Sequence, residues 1–175
     1  MNQENTTNDL LTNSDQPEAP KMSGGLNVLT ILTFIGSALQ FLGGLWNFFN
    51  AEKSYKEMDK VIGQMNSESM PAWAKSMMGD AEHYRMLITK SFENRMPILL
   101  MTVVAALLCF YGALQMRKLK KQGYPIYTIG ELLPLVSQAI FIGFFSFSGM
   151  IFYIVLAITL LFILLYTLQR KNLVY

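Results

Sequence analysis

Glu131 is the only charged residue between Ile129 and Leu168. A carboxylate within a membrane is a candidate for coupling to protons or cations, because hydrocarbon offers it no other partner. The same residue has a second role open to it. Thr128 and Glu131 make the Thr-x-x-Glu pattern of a capping box, in which hydroxyl and carboxylate each bond a free backbone N–H. That helix-cap acid, at the membrane interface beside Arg117 and Lys121, is the expected role. Gln40, Gln115 and Gln138 lie on or near apolar runs, where side-chain amides bond across helices. Arg117, Lys118, Lys120 and Lys121 cluster within five residues and are expected to contact anionic lipid headgroups.

Other chemistry finds little support. His83 is the sole histidine, and a metal site would need further ligands at regular spacing. The thioethers of Met65, Met70, Met77 and Met78 suit Cu(I), but these residues fall mostly on apolar helix faces, where methionine serves as an adaptable packer. No cofactor or metal is therefore expected. The chain has no His-Glu-x-x-His, no Gly-x-Ser-x-Gly and no nucleotide loop. Ser137, Ser146 and Ser148 lack a histidine base within reach, so enzymatic activity is not expected.

The elements that must position these groups are membrane spans. The chain is 52% hydrophobic and 15% charged, against about 25% charged in soluble domains. A net charge of +2 gives no reason to expect nucleic-acid binding. About 20 apolar residues cross the hydrocarbon core as a helix, and four such runs occur, at 26–50, 96–116, 129–148 and 150–168. Residues 1–25 read as a disordered polar tail. No basic stretch precedes a short apolar one there, so the first run is expected to stay as an anchor. Cys109 is the single cysteine and lies mid-span, which rules out an internal disulfide.

Loop 51–95 carries basic and acidic residues in equal number. Tyr55, Met58, Ile62 and Met65 recur at helical spacing, as do Trp73, Met77, Ala81, Tyr84, Ile88 and Phe92. Pro71 suits the first turn of the second helix. The loop is thus an amphipathic helical hairpin that continues the flanking spans or lies on the membrane surface. Trp73, Met77, Tyr84 and Ile88 form its expected partner face. Small residues predict where spans pack closely: Ala105, Cys109 and Ala113 in span two, Gly36 with Gly43 and Ser37 with Gly44 in span one, Ala139 with Gly143 in span three. After Arg117–Gln122, Gly123 is placed to end the second span and Pro125 to stop it restarting. Ser146–Gly149 makes a tight turn before span four. An even number of spans puts both termini on one side, expected to be the cytoplasm because the second turn concentrates positive charge.

Ala113–Pro134 (ALQMRKLKKQGYPIYTIGELLP) together with Phe162–Val174 (FILLYTLQRKNLV) resembles small four-span integral membrane proteins, uncharacterised and typical of Bacteroidota. The resemblance covers roughly the C-terminal half. It implies a bacterial cytoplasmic-membrane setting and transfers no functional residue. Small multidrug-type transporters also have four spans, but they depend on an acid in the first, which here has none. The fold class expected is therefore an all-α, integral membrane four-helix bundle with a helical hairpin loop between spans one and two. The expected function is that of a non-enzymatic accessory or assembly component with a membrane-protein partner or a second copy of itself. The alternative is a small homo-oligomeric transporter or channel using Glu131.

Overall fold

Gly24–Met65 form one uninterrupted helix, α1. The computed structural model describes residues 22–65, 71–148 and 150–175. Most of the expected polar tail lies outside the described residues, while Gly24 and Gly25 belong to α1. No proline interrupts this stretch. At 1.5 Å per residue the helix is about 63 Å long, twice the roughly 30 Å hydrocarbon core. The apolar half crosses a membrane and the charged half continues past it, supported by the Lys56–Glu52 pair at 2.6 Å.

The chain returns through α2, Ala72–Met78, and α3, Ala81–Glu93. A single helix was expected over these residues. Gly79 breaks it with a φ of +78°, a conformation that glycine adopts without penalty. Asp80 then starts α3 as its N-cap, its Oδ1 accepting from the His83 N–H at 2.7 Å. α3 packs against the charged half of α1. Tyr55 stacks on Phe92 with ring centroids 4.7 Å apart, and Arg85 pairs with Asp59 at 2.7 Å. Only Asn94 separates α3 from α4, Arg95–Arg117. The loop is therefore a hairpin that prolongs spans one and two.

α4 is followed by α5, Gly123–Ser137, which runs on as a π-helical turn, Gln138–Ile142. The third span is thus 123–142, starting six residues earlier than the expected 129. Leu119, not Gly123, takes the left-handed conformation (φ +57°) at the turn. Gly123 and Pro125 instead open α5, where a missing proline N–H costs no helical bond. The chain reverses at Gly143 (φ +109°) and the short 3₁₀ stretch Phe144–Ser148. α6, Met150–Gln169, then crosses back and ends in the 3₁₀ turn Arg170–Asn172. These four helices are long and apolar enough to cross a membrane, and the chain is an all-α, four-helix membrane bundle.

Ala105, Cys109, Gly112 and Ala113 are buried on α4, as their spacing predicted. The backbone of α5 lies directly against them. A Cβ on Gly112 would stand 2.6 Å from the Tyr127 nitrogen, and one on Gly130 would stand 2.8 Å from the Cys109 nitrogen. In span one the small residues divide. Ser37 is buried and Gly44 abuts Thr102, whereas Gly36 and Gly43 face open space. α6 carries no such seam and touches α1 and α5 sparingly.

The two described chain ends meet at one end of the bundle. Ser23 Oγ donates to Gln169 Oε1 at 3.0 Å, and Asn172 Nδ2 donates to Ser23 Oγ at 3.2 Å. The N–H groups of Val174 and Tyr175 donate to the Leu119 carbonyl, and the Lys121 N–H donates to the Tyr175 carbonyl. Leu26, Met116, Leu119, Tyr127, Tyr166 and Leu173 form the core beneath. The outward faces of all four spans are apolar, with Leu39, Leu100, Ile140 and Leu164 more than half exposed.

Gly112→Ala and Gly130→Ala should each lower stability, since the added methyl meets backbone that cannot rotate away; overpacking of this kind costs about 1–3 kcal/mol. Gly36→Ala and Gly43→Ala should leave stability unchanged. Thermal unfolding in mild detergent, followed by circular dichroism, separates the two pairs. Equal melting temperatures for all four variants would contradict the packing described.

Candidate functional site

Three helices each turn one short stripe toward a common cleft. From α1 come Thr33, Gly36, Ser37 and Gln40, from α5 Tyr127, Glu131 and Pro134, and from α6 Val155, Ile158, Thr159 and Phe162. Within each set the residues are three or four apart, so they occupy one helix face. The cleft encloses about 380 Å³ and has mainly apolar walls. It exists because α6 cannot approach α1 and α5 as closely as α5 approaches α4.

Glu131 supplies the only charge on the lining. Its Oε2 accepts a hydrogen bond from Cys109 Sγ at 3.6 Å, and the Tyr127 and Thr159 hydroxyls complete its surroundings. Below it, Tyr166 and Thr33 share a buried hydroxyl hydrogen bond of 2.7 Å. The Tyr127 and Tyr166 rings pack with centroids 4.4 Å apart. Ser37 Oγ is buried and has no hydrogen-bond partner among the described residues. Among the described residues Glu131 enters no salt bridge; the ion pairs there belong to the α1–α3 hairpin and the end of α3. A carboxylate so placed has neutral donors around it and no counter-ion. A bare negative charge is costly in such a setting.

The expected helix-cap role of Glu131 is thereby overturned. α5 begins at Gly123, so Glu131 stands in its third turn, and Thr128 Oγ1 donates to the Tyr124 carbonyl at 2.9 Å instead of capping. Glu131 lies in the bundle beside Cys109, not at an interface between Arg117 and Lys121. The residues that sequence reasoning missed are Thr33, Ser37 and Thr159. A Thr33–Ser37–Gln40 stripe at helical spacing was visible in the sequence, but its partner on α5 was concealed by the misplaced helix start. Pro134 adds a local irregularity. Lacking an N–H, it leaves the Gly130 carbonyl without its helical donor, and the π-helical turn follows within four residues.

The glutamines separate. Gln40 lines the cleft, Gln115 bonds Tyr111 on its own helix and so does not reach across, and Gln138 lines a second cavity of about 170 Å³. That second cavity lies between the hairpin and the start of α6, with Met77, Met78, His83 and Leu87 on one side and Ile151 and Phe152 on the other. His83 packs edge-on to Phe145 with centroids 5.8 Å apart. Among the described residues no three His, Cys, Asp or Glu side chains gather as metal ligands. Met65 is buried, and Met70 lies outside the described residues.

The expected partner face is divided by the break at Gly79. Trp73, on α2, is 68% exposed, whereas Met77 turns inward. Tyr84 and Ile88, on α3, are half-buried, and burial raises the Tyr84 phenol above its ordinary value. Arg117, Lys118, Lys120 and Lys121 are all exposed, and the bundle brings Arg170 and Lys171 to the same end. The Arg117 and Arg170 guanidiniums lie over Phe34 and Tyr124, at 5.8 and 5.5 Å.

Comparison with protein-family models, with curated proteins and with solved structures gives no match.

Cys109 is 2% exposed, so in the folded protein it should react with N-ethylmaleimide far more slowly than after denaturation in sodium dodecyl sulfate, by at least about a hundredfold for a local opening of roughly 3 kcal/mol. Mass spectrometry of the adduct gives both rates. Equal rates would show that α4 and α5 are not held together as described.

Proposed function

We propose that this membrane protein is a non-enzymatic solute-binding protein or small carrier, with the Glu131 cleft as its site. One observation carries the reading: a carboxylate with no salt-bridge partner among the described residues faces an interhelical cleft large enough for a small molecule. Ligand sites of this kind are mostly apolar concavities of about 300–1,000 Å³ with a few polar groups. Intramembrane acids are costly and mark solute or proton pathways.

The setting we propose is a bacterial cytoplasmic membrane with both chain ends in the cytoplasm. Support comes from the gathering of Arg117, Lys118, Lys120, Lys121, Arg170 and Lys171 at the end where the chain ends meet. Cytoplasmic surfaces favour such positive charge, and those residues are suited to anionic headgroups. A second reading, an accessory or assembly component, is favoured by the hairpin, which carries α1 well past the span and displays Trp73. A protein partner would engage that hairpin, and the two readings are compatible.

The purified protein, in mild detergent, should be raised in melting temperature by some members of a panel of small amphiphiles that are neutral, anionic and cationic. Val155→Trp, which fills the cleft from its rim, should abolish that rise while leaving the unliganded protein folded. A panel that stabilises the wild type and Val155→Trp alike, or neither, would remove the cleft as a binding site.

A further inference from the structure

We infer that the ligand of the cleft is a lipophilic organic cation, its charged head beside Glu131 and its apolar body along the α6 wall. The inference rests on the cleft being a binding site and adds the ligand's charge and shape. The lining offers one acid and no base, so a cation is the charged group it can pair. Among the described residues buried Ser37 Oγ has unused hydrogen-bonding capacity, and Gln40 supplies an amide on the same α1 stripe.

A bare metal ion fits poorly. Ca²⁺ takes about six to eight oxygen ligands at short range, whereas most of this lining is hydrocarbon and the Thr33 hydroxyl is already committed to Tyr166. An organic cation matches both parts of the surface. Its apolar portion replaces lipid contacts along Leu32, Val155 and Ile158, and its head gains the carboxylate of Glu131 beside the Phe162 ring. The route in is lateral. Leu32, Val155 and Ile158 are 45%, 44% and 50% exposed on the outer faces of α1 and α6, so the rim of the cleft opens toward the surface that lipid covers. A solute arriving from the bilayer must itself be amphipathic, which excludes small hydrophilic cations.

The test is equilibrium titration of the purified full chain with phenylbutyltrimethylammonium and with its neutral carbon isostere. The wild type should bind the cation at least tenfold more tightly. Glu131→Gln should remove that preference by lowering cation affinity while leaving the neutral isostere unaffected, and Val155→Trp should weaken both. If the wild type binds both probes equally, or if Glu131→Gln keeps the preference, the charge assignment is wrong and the cleft survives as a neutral site. If Val155→Trp alters neither, or if neither probe binds, the cleft is not the site and both readings fall. Should Glu131→Gln fail to fold, the wild-type comparison decides alone: a tenfold preference for the cation supports the inference, because Glu131 is the one acid on the lining, and equal binding of the two probes contradicts it.

Discussion

The backbone of α4 lies against the backbone of α5, and the rest of the bundle is arranged around that contact. At Gly112 and Gly130 there is room for a hydrogen atom and nothing larger. In lipid no hydrophobic force drives one helix toward another, so close approach and good van der Waals fit decide which helices pair. The α4–α5 pair has both, and α1 joins α4 through Phe34 against Phe110 and Gly44 against Thr102. α6 is built from large branched and aromatic residues and has only Thr159 and Tyr166 buried. It touches α1 and α5 only sparingly, chiefly through those two residues. The cleft is the space that this unequal packing leaves.

The same contact sets the chemistry. Drawing α5 onto α4 brings Cys109 to Glu131. The carboxylate is then surrounded by thiol and hydroxyl donors that satisfy oxygen atoms without neutralising a charge. Such an arrangement tolerates a carboxyl group in a low-dielectric setting and leaves it responsive to a proton or to a cation that arrives from elsewhere. A lysine or arginine in the cleft would have stabilised the acid permanently and closed that possibility. Here the bundle's strongest concentration of positive charge sits at the end where the chain ends meet, over aromatic rings and away from the cleft.

Much of this was legible in the sequence because it depends on local patterns. The four spans follow from apolar length, and the close face of α4 follows from Ala105, Cys109 and Ala113 at helical spacing. The continuation of the loop into the flanking spans follows from the Tyr55–Met65 stripe. The misreading of Glu131 also has a local cause. Gly123 followed by Pro125 satisfies the pattern for stopping a helix and equally the pattern for starting one, and only the left-handed Leu119 shows which applies. Moving the helix start back to Gly123 converts a cap residue into an interior one. Gly36 and Gly43 show the converse limit. Their spacing matches a packing seam, yet no other helix comes within contact of either, because the partner is chosen by all four helices together. The cleft itself is a property of three helices at once, and no single stretch of chain contains its signal.

The most direct measurement of the central claim is infrared difference spectroscopy of the protein in lipid vesicles, recorded with and without phenylbutyltrimethylammonium. The account predicts a carboxyl-group difference band that is present in the wild type, absent in Glu131→Gln, and unchanged when Glu52, Glu57, Glu82 and Glu93 of the hairpin are replaced by glutamine. A band that persists without Glu131, or one that disappears only with the hairpin acids, would contradict it.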